Sequence, residues 1–467
     1  MPLSPPRAAG LDRDALVAWY QRNRERSQAI FDLIADDAYY SRPIALRHPL
    51  VFYEGHLPGF SFNTLVKKGL GGPSIDPRLE TLFARGIDPH ESSGGSSRQS
   101  PVVSHQSPVV SHQSTVVSRE SQWPSRAAVR AFADEADRRV IDALEHAVLD
   151  KPGDPLLDRA EAVFSILEHE AMHQETLLYM WHRLPFEQKR RPDAYRPRLD
   201  GQPPAQEWVD VPAGRATLGV DRASIRFGWD NEHPANVADV EAFAIDRHNV
   251  TNASFLEFVD AGGYQQERWW RAEDWRWVQD EHVTHPLFWE RHGNAWQWRG
   301  MFELIALPLA WPVYVSYAEA AAFARWRGAR LATEAEFQRA AFGSPEGERP
   351  HPWGAAEPAA EHGVFDFSSW DPEPAGSHQK GRSAWGVEDL VGNGWEWTST
   401  VFAPFPGFRA MPSYPEYSAD FFDGEHFVMK GASPATARDL LRPTFRNWFR
   451  ARYPYVYATF RCVKNTP

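Results

Sequence analysis

The chain has one cysteine, Cys462, in 467 residues. No intramolecular disulfide is possible, and nothing recommends an oxidising compartment. Positive charge is not in excess either: 50 Lys and Arg stand against 62 Asp and Glu, for a net charge of -12 and a pI near 5.8. Nucleic acids and anionic membrane surfaces reward basic proteins, so no nucleic-acid or membrane partner is expected. Long apolar runs are missing as well. No stretch approaches about 18 uninterrupted apolar residues, and the opening MPLSPPRAAGLDRD has no basic patch followed by the apolar core of a secretory signal. The expectation is a reduced, cytoplasmic protein acting on small molecules.

What is abundant is tryptophan, at 20 residues. Such rings serve first as bulky core and second as aromatic walls around a ligand. At this length a prior of about 150 residues per domain gives two or three domains, and the sequence texture divides accordingly. Between residues 11 and 36, Leu16, Trp19, Asn23, Ile30, Phe31 and Ile34 lie near one helical stripe. A second helical stretch follows Pro49 and runs to Leu70, with Pro58 and Gly59 expected to weaken its middle. Trp123-Pro124-Ser125 opens a third, in which Val129, Phe132, Ala136, Val140 and Leu144 keep helical spacing, and residues 156 to 184 form a fourth. Four amphipathic helices predict an antiparallel bundle, a scaffold that builds metal sites from side chains on facing helices.

Inside that region, residues 91–122 are Ser-rich, with a short unit recurring as Ser100 to Gln106, Ser107 to Gln113 and, degraded, Ser114 to Glu120. Such a segment cannot bury enough apolar area to offset its ordering entropy, which predicts a disordered insertion and makes His105 and His112 poor ligand candidates. A proline-rich linker follows over 189–205. From Trp208 onward, short strands alternate with Gly and Pro turns, and helical periodicity is confined mainly to Asn252 to Ala261 and Tyr317 to Trp326. The predicted class is α+β: a four-helix bundle over 9–188, a linker, and a second domain over 206–467.

The chemistry concentrates in His169-Glu-Ala-Met-His173-Gln-Glu175. Histidines at i and i+4 are separated by about 400° of helical turn and leave the same face one turn apart, which is metal-ligand spacing. Two readings share it. One is the H-E-x-x-H of a zinc metallopeptidase, with Glu170 as general base; the other is a pair awaiting a third ligand from another helix. The longer peptidase signature is absent, because the sixth position beyond His173 is Tyr179. Glu175 lies about 200° around the helix from His173, so a regular helix keeps it off the same metal.

Several ordered motifs of the second region resemble the formylglycine-generating-enzyme (sulfatase-modifying factor) domain, with its C-type-lectin-like fold, over 206–465. They are Pro212-Ala213-Gly214, Ile245-Asp246 with Val250-Thr251-Asn252, Gly328 to Phe337, and Gly392-Asn-Gly-Trp-Glu-Trp397. The first region resembles a DinB-type four-helix bundle. That pairing is similar to the architecture of the iron-dependent sulfoxide synthases of ergothioneine and ovothiol biosynthesis, whose H-x-x-x-H-x-E signature matches His169, His173 and Glu175. The resemblance implies His56, after Gly55, as third histidine. Three neutral imidazoles with open positions suit Fe(II), although zinc or copper would also accept them.

It further implies Tyr414 and Tyr417 as a tyrosine pair that delivers a proton or hydrogen atom. Asn447 and Trp448 would hold the imidazole and trimethylammonium of hercynine, an aromatic face being the natural contact of a quaternary ammonium. Arg126 and Arg130 would take the carboxylates of the sulfur donor. Two positions depart from the family pattern: Met172 stands where many members carry a glutamine, and Phe449 where an acidic residue can contact the amino group of γ-glutamylcysteine. Either a donor pocket reshaped for something else or orientation handled elsewhere is implied, and the related selenoneine synthases, which join a selenosugar to hercynine, are a second expectation. The expected activity is Fe(II)- and O2-dependent formation of a C–S or C–Se bond on hercynine, with a thiol or selenol donor. A formylglycine-generating activity needs a pair of cysteines and fails on composition. A non-catalytic binding module keeping the fold alone is the remaining alternative.

Overall fold

The computed structural model describes residues 11–84 and 123–466. They form two compact units: one runs up to Leu177 and includes Arg183–Arg190, and the other comprises Leu178–His182 and Arg191 onward. The Ser-rich repeats, with His105 and His112, lie outside the described residues.

The first unit is helical. Helix α1, Arg13–Phe31, starts where the Asp12 side chain accepts from Ala15 N at 3.0 Å, and it buries Leu16, Tyr20, Asn23, Ser27, Ile30 and Phe31 along one stripe. Helix α2, Leu50–Ser61, is buried at every residue. Pro58 was expected to weaken it, yet the helix passes through and continues as wider π-helical turns over Phe62–Gly69. A helix packed on all sides gains enough from burial to outweigh the roughly 3 kcal/mol that an interior proline costs. Helix α3, Pro77–Leu82, is capped by Asp76 and was not read from the sequence. Helix α4, Arg126–His146, is capped by Ser125, the start expected at Trp123-Pro124-Ser125. Helix α5, Glu161–His182, begins later than residue 156 because Arg159 and Ala160 adopt left-handed φ values of 59° and 57° and turn the chain just before it.

The second unit holds two four-stranded sheets. In one the order is Trp208–Val211, Phe243–Asp246, Cys462–Asn465, Arg330–Leu331. In the other it is Asn447–Arg450, His426–Ala432, Gly394–Val401, Ala458–Thr459, with the last strand parallel to its neighbour. Helices Asn252–Asp260 and Tyr317–Trp326 match the expected periodic segments, while Ala272–Asp280 and Glu334–Phe342 had not been read as helices. Val211, Phe243, Ile245, Phe337 and Val463 share one apolar core. Trp229, Trp298, Trp395 and Trp397 are fully buried, as the core reading of the tryptophans expects. Arg461 pairs with Glu396 inside the domain at 2.7 Å, each about 1% exposed, and also donates to the carbonyls of Asp246, Arg247 and Glu388.

Candidate metal centre and aromatic cluster

The three histidines proposed as ligands come together. His56 on α2 and His169 and His173 on α5 each offer a ring nitrogen within 4.8 Å of the others. Among the described residues this is the one such group of three or more His, Cys, Asp or Glu. The helical i, i+4 geometry brings the α5 rings to 4.4 Å between centroids, and the His56 ring lies 5.1 and 5.0 Å from them.

The His56 Nδ1–H donates to the carbonyl of Phe83 at 2.7 Å, which leaves the Nε2 lone pair to act as ligand. His56 Nε2 and His173 Nδ1 are buried and make no hydrogen bond among the described residues. Burial in an aromatic box lowers the basicity of all three rings. Phe60 stacks on His169 at 3.6 Å and Phe52 on His56 at 4.9 Å. Desolvation pushes His56 down to about 4; it pushes His169 and His173 well below the ordinary range, helped by repulsion from the neighbouring imidazoles. Neutral, desolvated imidazoles are the ligating form, so the residues present fit a metal ion.

Gly55 makes the arrangement possible. A Cβ there would meet the Phe83 ring at 2.5 Å, so only glycine lets that ring lie against α2 with its carbonyl aimed at His56.

Glu170 has another occupation than general base. Its Oε1 accepts from Arg24 Nη1 at 2.8 Å and Ser27 Oγ at 2.7 Å, and its side chain is fully buried. The third histidine comes from α2, upstream of the pair. Both facts overturn the zinc-peptidase reading. Glu175 is buried, and Met172, beside His173, is half-buried.

Arg126 and Arg130, one turn apart on α4, converge on Glu54 at 3.3 and 3.2 Å. Glu54 is itself buried, and Tyr39 donates to its other oxygen at 2.5 Å. The sequence reading singled out the arginines and missed this carboxylate, which sits on a mostly apolar helix with no spacing to mark it.

In the second unit, Tyr414 and Tyr417 lie 5.7 Å apart between ring centroids, and Tyr417 lies edge-on to Trp448 at 5.2 Å. Strand register sets Asn447 opposite Met429 and Trp448 opposite Val428. Phe402 stacks on Trp448 at 4.2 Å, and Trp229 on Tyr417 at 4.0 Å. The tyrosine loop is pinned by Ser418, whose hydroxyl donates to Asp230 at 2.5 Å and accepts from Asn231 Nδ2 at 2.9 Å. Asn447 Oδ1 accepts from the backbone N of Trp448 at 2.9 Å, which leaves its NH2 to point elsewhere. Trp229, Phe402 and Ser418 were not anticipated; no local spacing distinguishes them.

Residues 20–177 match the DinB superfamily and residues 196–466 the sulfatase-modifying factor enzyme 1-like domain. The hercynine oxygenase of Mycobacterium tuberculosis is 38% identical over 439 residues, spanning 90% of this chain and 91% of that one. The chain belongs to the hercynine oxygenase family. The hercynine oxygenase of Mycolicibacterium smegmatis is 37% identical over 327 residues, 68% of this chain and 73% of its own. Ergothioneine biosynthesis protein 1 of Neurospora crassa is 25% identical over 513 residues, covering 93% of this chain and 56% of the longer protein. Membership in the hercynine oxygenase family makes this an oxygenase-type enzyme with a bundle domain and a sulfatase-modifying-factor domain. The second domain does not bring thiol chemistry with it. Cys462 is fully buried in the terminal strand, and burial pushes its thiol up to about 12. No helix among the described residues is long and apolar enough to cross a membrane.

Proposed function

We propose that this protein uses Fe(II) and O2 to form a C–S or C–Se bond on the imidazole of hercynine, with His56, His169 and His173 as the metal ligands. The observation that carries the reading is the triad of two buried histidines and one half-buried one, whose ligand nitrogens lie within 4.8 Å. Fe(II) held there supplies the redox chemistry with O2 that the new bond requires.

The protein's own groups bind and position. The face of Trp448 takes the trimethylammonium, and the Asn447 NH2 donates to the substrate imidazole. A phenol of the Tyr414 and Tyr417 pair delivers a proton. Arg126 and Arg130, gathered on Glu54, hold a donor carboxylate. A reduced compartment, the cytoplasm, suits a chain with one buried cysteine.

A selenium donor is the second reading, and it rests on a separate observation. Met172 and Phe449, where the family resemblance leads one to expect polar anchors, are apolar, and Phe449 is stacked on Tyr453 at 5.1 Å. The decisive experiment loads the protein with Fe(II) without oxygen, then adds O2 with hercynine and cysteine, γ-glutamylcysteine or a selenosugar in turn, reading products by mass spectrometry. Product with the thiols alone removes the selenium reading, and product with the selenosugar alone removes the sulfur one. Failure to retain stoichiometric Fe(II) in a manner dependent on the triad removes the enzyme reading in favour of a binding module.

A further inference from the structure

Helix α5 carries buried polar groups on two faces about 100° apart. One face presents His169 and His173. The other presents the Leu167 carbonyl, Glu170 and Gln174, and all three bond to α1. Asn23 Nδ2 donates to Leu167 O at 2.8 Å. Glu170 Oε1 accepts from Arg24 Nη1 at 2.8 Å and from Ser27 Oγ at 2.7 Å. Gln174 Nε2 donates to Asn23 O at 2.8 Å and Ser27 Oγ at 3.1 Å. Arg24 is held in turn by Asp137 of α4 at 2.9 Å, and Tyr20 also donates to that carboxylate. Glu170 and Gln174 are completely buried, and each follows a triad histidine directly in sequence.

We infer that this ladder, with the Arg24–Glu170–Ser27 clamp at its centre, sets the rotation and axial register of α5 so that both imidazoles face His56; Glu170 is a positioning residue. The inference rests on the reading of the triad as a metal centre. Burial as such is non-directional and does not by itself select the rotation of a helix about its axis. A turn of about 20° would swing a group 5–6 Å from the helix axis by about 2 Å. Metal–ligand distances tolerate about 0.2 Å. Directional bonds on the neighbouring face supply the rotational stiffness that burial alone does not, the use for which buried ionic groups are best attested.

The test titrates Co(II) into the full chain, following the metal's d–d absorption for affinity and coordination, beside thermal unfolding of the metal-free protein. Wild type is expected to bind one Co(II), and His56→Ala to abolish binding. Arg24→Met combined with Glu170→Leu replaces the clamp by apolar groups; it is expected to fold with an unchanged helical signal, yet to bind Co(II) about 10- to 100-fold more weakly, with an altered band pattern. Glu170→Gln keeps the shape and the accepting oxygen, and is expected to restore affinity to within about threefold of wild type. If the double variant binds Co(II) with wild-type affinity and spectrum, the clamp positions nothing. Should it fail to fold, Ser27→Ala decides: a shifted band pattern in a protein of wild-type helicity supports the clamp, and an unshifted one overturns it. A wild-type chain that binds no Co(II) overturns the metal-centre reading itself, whereas wild-type binding with unaffected variants overturns the clamp alone.

Discussion

Gly55→Ala is the sharpest small perturbation of the triad, because it touches no ligand. The added methyl would lie 2.5 to 2.6 Å from three atoms of the Phe83 ring, where carbon–carbon contact needs about 3.5 Å. Something must move by about 1 Å. The ring is fully buried, with Phe132 at 5.9 Å and Phe52 at 6.2 Å between centroids, so it cannot swing away freely and its backbone is displaced with it. Two opposed effects bear on stability. Alanine favours the helix over glycine by about 1 kcal/mol, and overpacking a core costs about 1–3 kcal/mol. The net expectation is a metal-free protein less stable by about 1 kcal/mol, a small change.

The effect on metal should be larger. Displacing the Phe83 carbonyl loosens the 2.7 Å bond that fixes the His56 tautomer and ring orientation. Losing a support of that kind weakens metal binding about 10- to 100-fold, or about 1.4–2.8 kcal/mol. Anaerobic Fe(II) or Co(II) titration measures it, with denaturant unfolding of the metal-free protein as control. Adding Phe83→Leu to Gly55→Ala makes room for the methyl while keeping the carbonyl, and should recover most of the affinity. Loss of stability with metal affinity unchanged within twofold would refute the link from Gly55 through Phe83 to His56.

Three further outcomes follow from buried charge. The Glu80 carboxylate is raised by desolvation but lowered more by bonds from Lys67, Ser74 and the backbone N–H groups of Ile75 and Asp76, which hold it at about 2. Its folded value lies below the unfolded value of about 4.3, so its stabilisation is present above that pH and is lost as pH falls toward about 2. With Lys67 41% exposed, a discount for solvent screening leaves about 1–2 kcal/mol. The stability gap between wild type and Glu80→Gln should therefore close between about pH 4.3 and pH 2, and a gap independent of pH would contradict the assignment. Arg461→Met strands a buried Glu396 and three carbonyls, and should cost about 3–5 kcal/mol in urea unfolding; a loss below 1 kcal/mol would mean the pair is not buried as described. Cys462 should resist iodoacetamide at about pH 8 in the native protein and react fully once unfolded, because burial raises its thiol to about 12. Rapid native labelling would refute the buried strand.

Much of the site was legible because it is written within single elements. The i, i+4 spacing of His169 and His173 places both rings on one face of any regular helix, and the stripes of α1 and α4 follow from their periodicity and from the capping residues Asp12 and Ser125. Two helix starts carry a readable reciprocal cap, Ser316 with Glu319 and Thr333 with Glu336. The course of α2 is not legible in the sequence, because an interior proline is a local penalty whose outcome depends on packing all round the helix, which no local pattern reports.

What only the tertiary structure decided involves partners far apart in the chain. Ser27 and Arg24 meet Glu170 across 143 and 146 residues, Ser418 meets Asp230 across 188, and the Phe83 carbonyl reaches His56 across 27. Side-chain periodicity says which face of a helix a residue occupies and nothing about what that face will touch. The sequence by itself determined that two histidines share a helix face, that one cysteine rules out paired-thiol chemistry, and that a bundle precedes an α+β domain. Which carboxylate beside those histidines would be bound in an ion pair, and which glycine would admit the ring that aims the third, depended on helix packing. There burial makes every unmade hydrogen bond expensive and a single methyl too large.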